Sequence, residues 1–248
     1  MATPSLLLLL ADGRFPAGAH AHSGGLEAAV AAGRVSDLAS LEAFLAGRLA
    51  TAGLVGAAFA AAAHRAAVAV TADPGAPAGS AARSDAPAES DARSGALARL
   101  DAELDARTAA PALRAVSRRQ GRALLRAGRA IWPDAPFADL PATPGGAHQP
   151  LVLGLLCAAA GLSRVETATI AAYGTLTGTA SAGVRLLGLD PYQVQALLVG
   201  LADACDGTAA DAARAADDPP ERLPAAAAPL ADIHAEIHAT WEVRLFAS

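Results

Sequence analysis

The sequence predicts an all-α protein. Alanine dominates the hydrophobic residues, which make up 53% of the chain, whereas aromatic residues make up only 4%. Alanine is the best helix former, and runs of the residues that favour strands are scarce. A chain of 248 residues can bury a substantial core. We therefore expect one compact helical domain over residues 1–248, built of roughly eight to ten helices.

The first distinctive element is a glycine-rich turn from Arg14 to Glu27, with the sequence RFPAGAHAHSGGLE. Glycine permits tight turns that would strain other residues. His20 and His22 lie one residue apart within it. A metal site normally needs three or four ligands with supporting hydrogen bonds, and no cysteine or carboxylate adjoins this pair. A structural role is therefore favoured, with metal binding kept as the alternative.

The next elements are a helix and an insertion. Leucines recur at three- and four-residue spacing after the Ser36-Asp37 start signal, at Leu38, Leu41, Leu45 and Leu49, which predicts a helix. From about 71 to 94 the composition changes to proline, glycine, serine and alanine with scattered charge. Such a segment cannot bury a core, so we predict a flexible insertion there, a long surface loop of the disordered type.

A strongly amphipathic helix is predicted from Leu113 to Ile131. At about 100° per residue, one narrow stripe holds Leu113, Val116, Gln120, Leu124, Ala127 and Ile131. The opposite half holds Arg114, Arg118, Arg119, Arg122, Arg126 and Arg129, which indicates a surface helix with a cationic outer face. Two interpretations stay open: a solvated face paired with Asp101, Glu103 and Asp105, or a docking surface for an acidic partner.

A long central helix is predicted to follow a capping box at Ser163–Glu166. Its run from Thr167 to Leu189 contains one charge, Arg185. Because an unpaired buried charge is costly, Arg185 is either paired internally or placed to meet a partner. The next helix begins at Asp190-Pro191, an N-cap followed by proline at the first helical position.

The last helix carries His234 and His238 on one face, because they are four residues apart. Zinc ligands can share this spacing, but Glu236 does not stand where a metalloprotease HExxH motif needs it. Edge-of-core positions explain both histidines. No Ser-His-Asp or Cys-His arrangement can be argued from spacing, so the sequence indicates a protein without catalytic residues.

Composition excludes further classes of function. The chain contains no lysine, and all 19 of its basic residues are arginine, which excludes a phosphate-binding GK[ST] loop and a Schiff-base lysine. Its net charge of −5 disfavours non-specific nucleic-acid binding. Cys157 and Cys205 are expected to be small buried hydrophobic residues. The N-terminus lacks the basic region of a signal peptide, and we expect a cytoplasmic protein without a membrane span.

Several blocks, taken in order, resemble the urease accessory protein UreF family. They are the turn from Pro16 through Glu27, GRALLR from Gly121, HQPLVLGLLCAAAGLS from His148, AGVRLLGLDPYQVQALL from Ala182 and RLFAS from Arg244. Each block is weak alone, and jointly they are specific. The blocks follow one another from Pro16 to the last residue of the sequence, and none of them falls in the 71–94 insertion.

The resemblance implies a non-catalytic maturation factor that forms a homodimer and needs no cofactor. Such an adaptor joins the scaffold protein UreD (also called UreH) to the nickel-carrying GTPase UreG for nickel insertion into apo-urease, with a further role in gating GTP hydrolysis. The resemblance also implies that the scaffold contact involves Arg244, Leu245, Phe246 and Ser248, and that the GTPase contact involves Arg185. It also marks residues of the N-terminal signature turn: Pro16, Gly18, His20, His22, Ser23, Gly25 and Glu27.

The chain departs from the family pattern in one place. The family usually has Phe-Ser-Tyr-Ser-Gln-Gly where this chain has Ala19-His20-Ala21-His22-Ser23-Gly24. Two rival hypotheses therefore stay open. One is a metallochaperone that binds nickel through His20 and His22, with His234 and His238, and the other is an enzyme with an unrecognised site in the central helices.

Overall fold

A computed structural model describes residues 4–16, 21–68 and 86–246 of the chain, and these residues form helices without any strand. The predicted all-α class is therefore confirmed. Eleven α-helical segments occur in the described residues. Two of them, α3 and α4, are joined by a π-helical turn at Leu49–Gly53 and form one continuous helix, so the described residues contain ten separate helices. The bounds are α1 Pro4–Ala11, α2 Leu26–Ala31, α3 Leu38–Arg48, α4 Leu54–Val68, α5 Ala86–Arg107, α6 Pro111–Ile131, α7 Gln149–Ala159, α8 Arg164–Leu187, α9 Pro191–Gly200, α10 Ala202–Ala215 and α11 Pro229–Ala239.

The centre of the fold is α4, which packs against α5, α7, α8 and α10. Its alanines from Ala57 to Ala63 are at most 3% exposed, and nearly all buried apolar residues of the described chain form one connected cluster from Leu10 to Phe246. The continuous helix Leu38–Val68 is long and apolar enough to cross a membrane by length and composition alone. Burial of α4 against its neighbours gives that apolar run a different explanation, since core helices share this composition.

The approach of α7 to α4 requires a glycine at Gly154. A Cβ atom built on Gly154 would lie 2.4 Å from the carbonyl oxygen of Ala60 and 2.7 Å from the Cβ of Ala63. The two backbones are therefore in contact where alanine faces glycine. Close approach over small side chains supplies the packing that large side chains supply in other cores.

A buried polar network ties α5 and α6 to the start of α7. Arg118 Nη2 lies 3.0 Å from a carboxylate oxygen of Asp101 and 3.0 Å from one of Asp105. His148, which is fully buried, places Nε2 2.7 Å from Asp105 and Nδ1 2.9 Å from the hydroxyl of Ser117. Desolvation lowers the pKa of His148, so the ring is neutral, donates from Nε2 and accepts from Ser117. Removing Arg118 would leave the buried carboxylate of Asp101 without its ion pair, which costs about 3–5 kcal/mol.

Three predicted helix starts are confirmed. Asp37 and Ser163 each form a reciprocal capping box, with Ser40 and Glu166 respectively, and the Asp190 side chain accepts from the backbone N–H of Tyr192. These caps satisfy N–H groups that have no partner within the helix. The cysteines are free and buried as expected, and burial raises the pKa of Cys157 to about 12.

The predicted insertion at 71–94 extends too far. Residues 86–94 form the first turns of α5, and residues 71–85 lie outside the described residues. Tertiary contacts explain the error: the buried Asp139 accepts a hydrogen bond of 2.6 Å from Ser90 and forms an ion pair with Arg93. Residues 86–94 therefore form a helix in spite of a composition typical of disorder, because Asp139 of another segment binds Ser90 and Arg93.

The predicted amphipathic helix α6 is confirmed, but two of its residues do not lie on the face that the helical periodicity predicts. Arg118 was placed on the outer face, yet it is 8% exposed within the polar network described above. Ile131 was placed on the core stripe, yet it is 47% exposed at the last turn. Asp101 and Asp105 draw Arg118 inward, and the core does not extend to the end of the helix.

We predict that Gly154→Ala destabilises the protein by about 1–3 kcal/mol, because the added methyl group overlaps the backbone of α4. Urea denaturation measures the change in the free energy of unfolding. Gly207→Ala in α10 is the matched control, because a Cβ there meets nothing within 4 Å. The control should gain about 0.5–1 kcal/mol, and equal effects of the two substitutions would contradict the close approach.

We predict that acid weakens the fold through His64, whose Nε2 lies 2.7 Å from the carbonyl oxygen of Leu162. Desolvation lowers its pKa, so the unfolded chain binds the proton more readily. The free energy of unfolding should therefore fall as pH drops from about 7.5 to about 5.5. His64→Gln should reduce this pH dependence in denaturation curves. An unaltered slope in His64→Gln would contradict this assignment.

Candidate functional site

Three segments that are distant in the sequence meet around the carboxylate of Glu27 at the start of α2. One carboxylate oxygen accepts from the backbone N–H of Leu245 at 2.7 Å. The other accepts from the N–H of Phe246 at 3.0 Å and lies 3.0 Å from Nε2 of His238 in α11. We call this arrangement of Glu27, His238, Leu245 and Phe246 the tail clasp. It joins the N-terminal signature turn to the C-terminal tail.

The signature turn presents Glu27 through two left-handed glycines. Gly24 and Gly25 have φ of 65° and 87°, and a Cβ on Gly24 would lie 2.7 Å from the Thr179 hydroxyl oxygen. Ser23, which is fully buried, accepts from the backbone N–H of Glu27 at 3.2 Å. The Gly24 carbonyl in turn accepts from the guanidinium of Arg48. The turn therefore fixes both the backbone and the direction of Glu27.

Arg185 of α8 covers the other side of the tail. Its guanidinium carbon lies 4.6 Å from the ring centroid of Phe246, which is cation–π distance. Phe246 is 4% exposed, whereas Arg185 is exposed and forms no ion pair within the described part of the chain. Neither interpretation from the sequence included this arrangement, in which Arg185 stacks on the tail and keeps its charge in solvent.

The electrostatics of the tail clasp favour an ionised Glu27. Burial by itself raises the pKa of this carboxyl, but hydrogen bonds from Leu245, His238 and Phe246 outweigh burial and hold the pKa below its ordinary value. The stabilisation is therefore present above the ordinary glutamate pKa of about 4.3. It is lost as pH falls through the lower, folded-state pKa.

Two concave surfaces border the tail clasp. A cavity of about 270 Å³ lies between α6 and α11, with Leu113, Val116, Arg119, His238 and Arg244 in its wall. A groove of about 360 Å³ between α8 and α9 includes Tyr173, Arg185 and Gln195. The tail residues Arg244 and Leu245 are exposed beside buried Phe246.

The candidate metal ligands do not form a cluster among the described residues. No group of three or more His, Cys, Asp or Glu side chains that could hold a metal occurs there. His238 is 3% exposed and engaged with Glu27, and His22 is half-buried. Gly18, His20 and Ser248 lie outside the described residues. Pro16 ends the first described segment and is exposed.

Sequence reasoning placed Glu27 in the signature turn but missed what its side chain does. The acceptors and donors of the tail clasp are separated by 211 to 219 residues, and no short-range pattern carries such a pairing. His238 was interpreted as an edge-of-core residue, and its burial confirms a structural role. The tilted ring contact between Trp241 and His238, with 4.7 Å between centroids and 54° between ring planes, was also not predictable from the sequence.

We predict that Glu27→Gln releases the tail at neutral pH. The amide cannot replace a carboxylate that accepts from three donors, and hydrogen bonds to a charged group contribute about 1.5–3 kcal/mol. Amide hydrogen exchange at Leu245 and Phe246 should accelerate about tenfold or more. Glu42→Gln, at an exposed position of α3, is the control. Unchanged exchange in Glu27→Gln would show that the tail is held by other contacts.

Comparison with known proteins identifies the family. The UreF family model matches residues 35–202. The chain is 42% identical to the "Urease accessory protein UreF" of Mycolicibacterium vanbaalenii and 41% identical to that of Mycobacterium sp. (strain JLS), with 100% of both chains covered in each case. The protein of the same name from Mycobacterium tuberculosis is 41% identical over 86% of each chain. The chain therefore belongs to the UreF family of urease accessory proteins.

Proposed function

We propose that this protein is a non-catalytic adaptor of urease maturation that acts as a homodimer in the cytoplasm. It joins the scaffold protein UreD/UreH to the nickel-carrying GTPase UreG, so that nickel is inserted into apo-urease. Gating of GTP hydrolysis is part of the proposal and requires the GTPase to bind the assembled platform differently in its two nucleotide states. The main observation in support of this proposal is the tail clasp, where the signature turn of the family, Arg185 and the C-terminal tail are in contact.

Exposed apolar residues of the C-terminal segment support scaffold binding there. On α11, Leu230, Ile233 and Ile237 are 45%, 56% and 50% exposed, and Leu245 is 55% exposed. These three side chains of α11 therefore face solvent. Exposed apolar patches of this kind mark protein interaction surfaces. In the proposal, Arg244 and Leu245 contact the scaffold, Phe246 holds them in position, and Ser248 belongs to the same tail.

Arg185 supports a separate contact with the GTPase. Its exposed charge lies in the wall of the groove between α8 and α9, which also includes Leu198 and Tyr173, the latter 45% exposed. Arginine beside aromatic and aliphatic surface is typical of residues that dominate interfaces. Because Arg185 also stacks on Phe246, the two proposed contacts are neighbours, and the order of the tail can affect both.

An enzymatic role has less support. Ser117, His148 and Asp105 are hydrogen-bonded in series, an arrangement that spacing did not reveal. However, His148 is fully buried, and the Ser117 oxygen also accepts from the backbone N–H of Gln149. Neither cavity beside the tail clasp includes Ser117. A buried structural tie explains this series of hydrogen bonds better than nucleophilic catalysis, which needs an accessible hydroxyl.

We predict that deleting Arg244–Ser248 abolishes a defined complex with the scaffold and leaves the helical fold intact. The reason is that, of the described residues in this range, Arg244 and Leu245 are exposed and Phe246 alone is buried. Co-purification with the scaffold and GTPase encoded beside the urease of the host, read by light scattering, measures the complex. Arg185→Ala should weaken GTPase recruitment about tenfold, the usual effect of an arginine hot spot, and should leave scaffold affinity within twofold.

Amide exchange at Phe246 in Arg185→Ala distinguishes a direct GTPase contact of Arg185 from an effect through the tail. If Arg185→Ala weakens both partners and also frees the tail, Arg185 acts by positioning the tail and its direct GTPase contact is wrong. If the truncated chain, shown to be helical by circular dichroism, still binds the scaffold with full affinity, the tail assignment fails. Arg222→Ala, at an exposed arginine of another segment, serves as the control for charge.

A further inference from the structure

Four arginines of α6 form an exposed row that the tail clasp does not use. Arg119, Arg122, Arg126 and Arg129 are spaced by three, four and three residues and are all exposed. This spacing places them on one face of the helix, over about 15 Å at 1.5 Å per residue. We call these four residues the arginine row.

The acids that could neutralise the arginine row are engaged elsewhere. Asp101 and Asp105 pair with Arg118 and His148, and Glu103 pairs with Arg107. Within the described ranges, no carboxylate lies at ion-pair distance from any member of the row. Among the described residues, Arg122 is the one member of the row with a hydrogen bond, which it donates to the uncharged carbonyl of Gly145. The pairing expected with Asp101 and Asp105 is therefore made by Arg118, which is buried, whereas the row is solvated and has no ion pair among the described residues.

An apolar cavity lies at the N-terminal end of the arginine row. It is the cavity of about 270 Å³ between α6 and α11, whose wall includes Leu113 and Val116 together with Arg119 and Arg244. Arg119 and Arg244 form no ion pair in the part of the chain that the structure describes. A cationic row thus leads to an apolar recess with a guanidinium on each side.

We propose that the arginine row and this cavity form a docking surface for an acidic helical segment of a protein partner. Carboxylates that recur every three or four residues on such a segment match the row, because guanidinium groups bind carboxylates in a planar, two-pronged geometry. An apolar side chain at the end of the segment fills the recess. The partner also relieves the mutual repulsion of like charges three and four residues apart.

Charge and packing favour a protein over other polyanions. The whole chain carries a net charge of −5, so nucleic acid would be repelled beyond the row. Insertion into an anionic membrane needs an exposed apolar face beside the cationic one. In α6 that face packs inward through Leu124 and Gly128. A short acidic segment of protein needs only the row and the recess.

The test uses the full chain and a triple variant, Arg119→Gln/Arg126→Gln/Arg129→Gln. Arg122 is left unchanged because of its hydrogen bond to Gly145. The control, Arg34→Gln/Arg99→Gln/Arg222→Gln, removes the same charge from exposed positions on other segments. The probe is a fluorescent synthetic helical peptide with glutamates at positions i, i+3, i+7 and i+10 and a leucine at each end. Fluorescence anisotropy at several salt concentrations gives its affinity.

The row variant should bind this peptide about tenfold or more weakly and with a reduced salt dependence, since exposed charge pairs act through screened attraction. The control should stay within twofold of the wild type. Equal affinity of the row variant and the wild type overturns the proposal, as does tighter binding of the wild type to duplex DNA or to vesicles containing phosphatidylglycerol.

The same three proteins are then titrated with purified scaffold, GTPase and apo-urease. The acidic partner is the one whose affinity falls in the row variant and holds in the control. Leu245→Ala, which leaves the arginine row and the wall of the cavity in place, tests the proposed scaffold contact separately. If none of the three purified proteins binds the wild type while the peptide does, the adaptor role fails and the docking surface stands.

Discussion

The fold depends on the contact between the backbones of α4 and α7. A core rich in alanine has little side-chain volume, so its dispersion energy must come from short distances between helices. Gly154 and the alanines around Ala60 make that distance possible. Because α4 also packs against α5, α8 and α10, any change that separates α4 from α7 would loosen the whole bundle. The high alanine content therefore does more than favour helices, because it also requires α4 and α7 to pack at short distance.

Buried polar ties specify the arrangement of the outer helices. The network of Asp101, Arg118 and His148 fixes α5 and α6 at the start of α7, and Glu27 fixes the C-terminal tail at the start of α2. Small apolar side chains alone permit many similar packings, whereas a buried charge accepts only the position that satisfies it. In this protein the same device holds the bundle together and orders the proposed partner surface.

The absence of lysine gives arginine every cationic role, and the structure divides these roles by partner. Arg118 is buried with two carboxylates, Arg185 stacks on an aromatic ring, and the arginine row has no acidic partner in the described residues. The planar guanidinium suits all three environments because it is weakly hydrated and binds both carboxylates and ring faces. Net charge therefore says less about binding than the location of each unpaired guanidinium.

The sequence by itself determined the helical class, the starts of α3, α8 and α9 and the amphipathic α6, because caps and periodicity act over a few residues. It also identified the family from ordered blocks. Only the tertiary structure decided that Glu27 holds the tail, that Arg118 is buried and that residues 86–94 are helical. Each of these depends on a partner far away in the chain: Leu245 and Phe246 for Glu27, Asp101 for Arg118, and Asp139 for Ser90 and Arg93. A local pattern cannot encode which distant group will satisfy a buried charge, since that is fixed only when the helices pack.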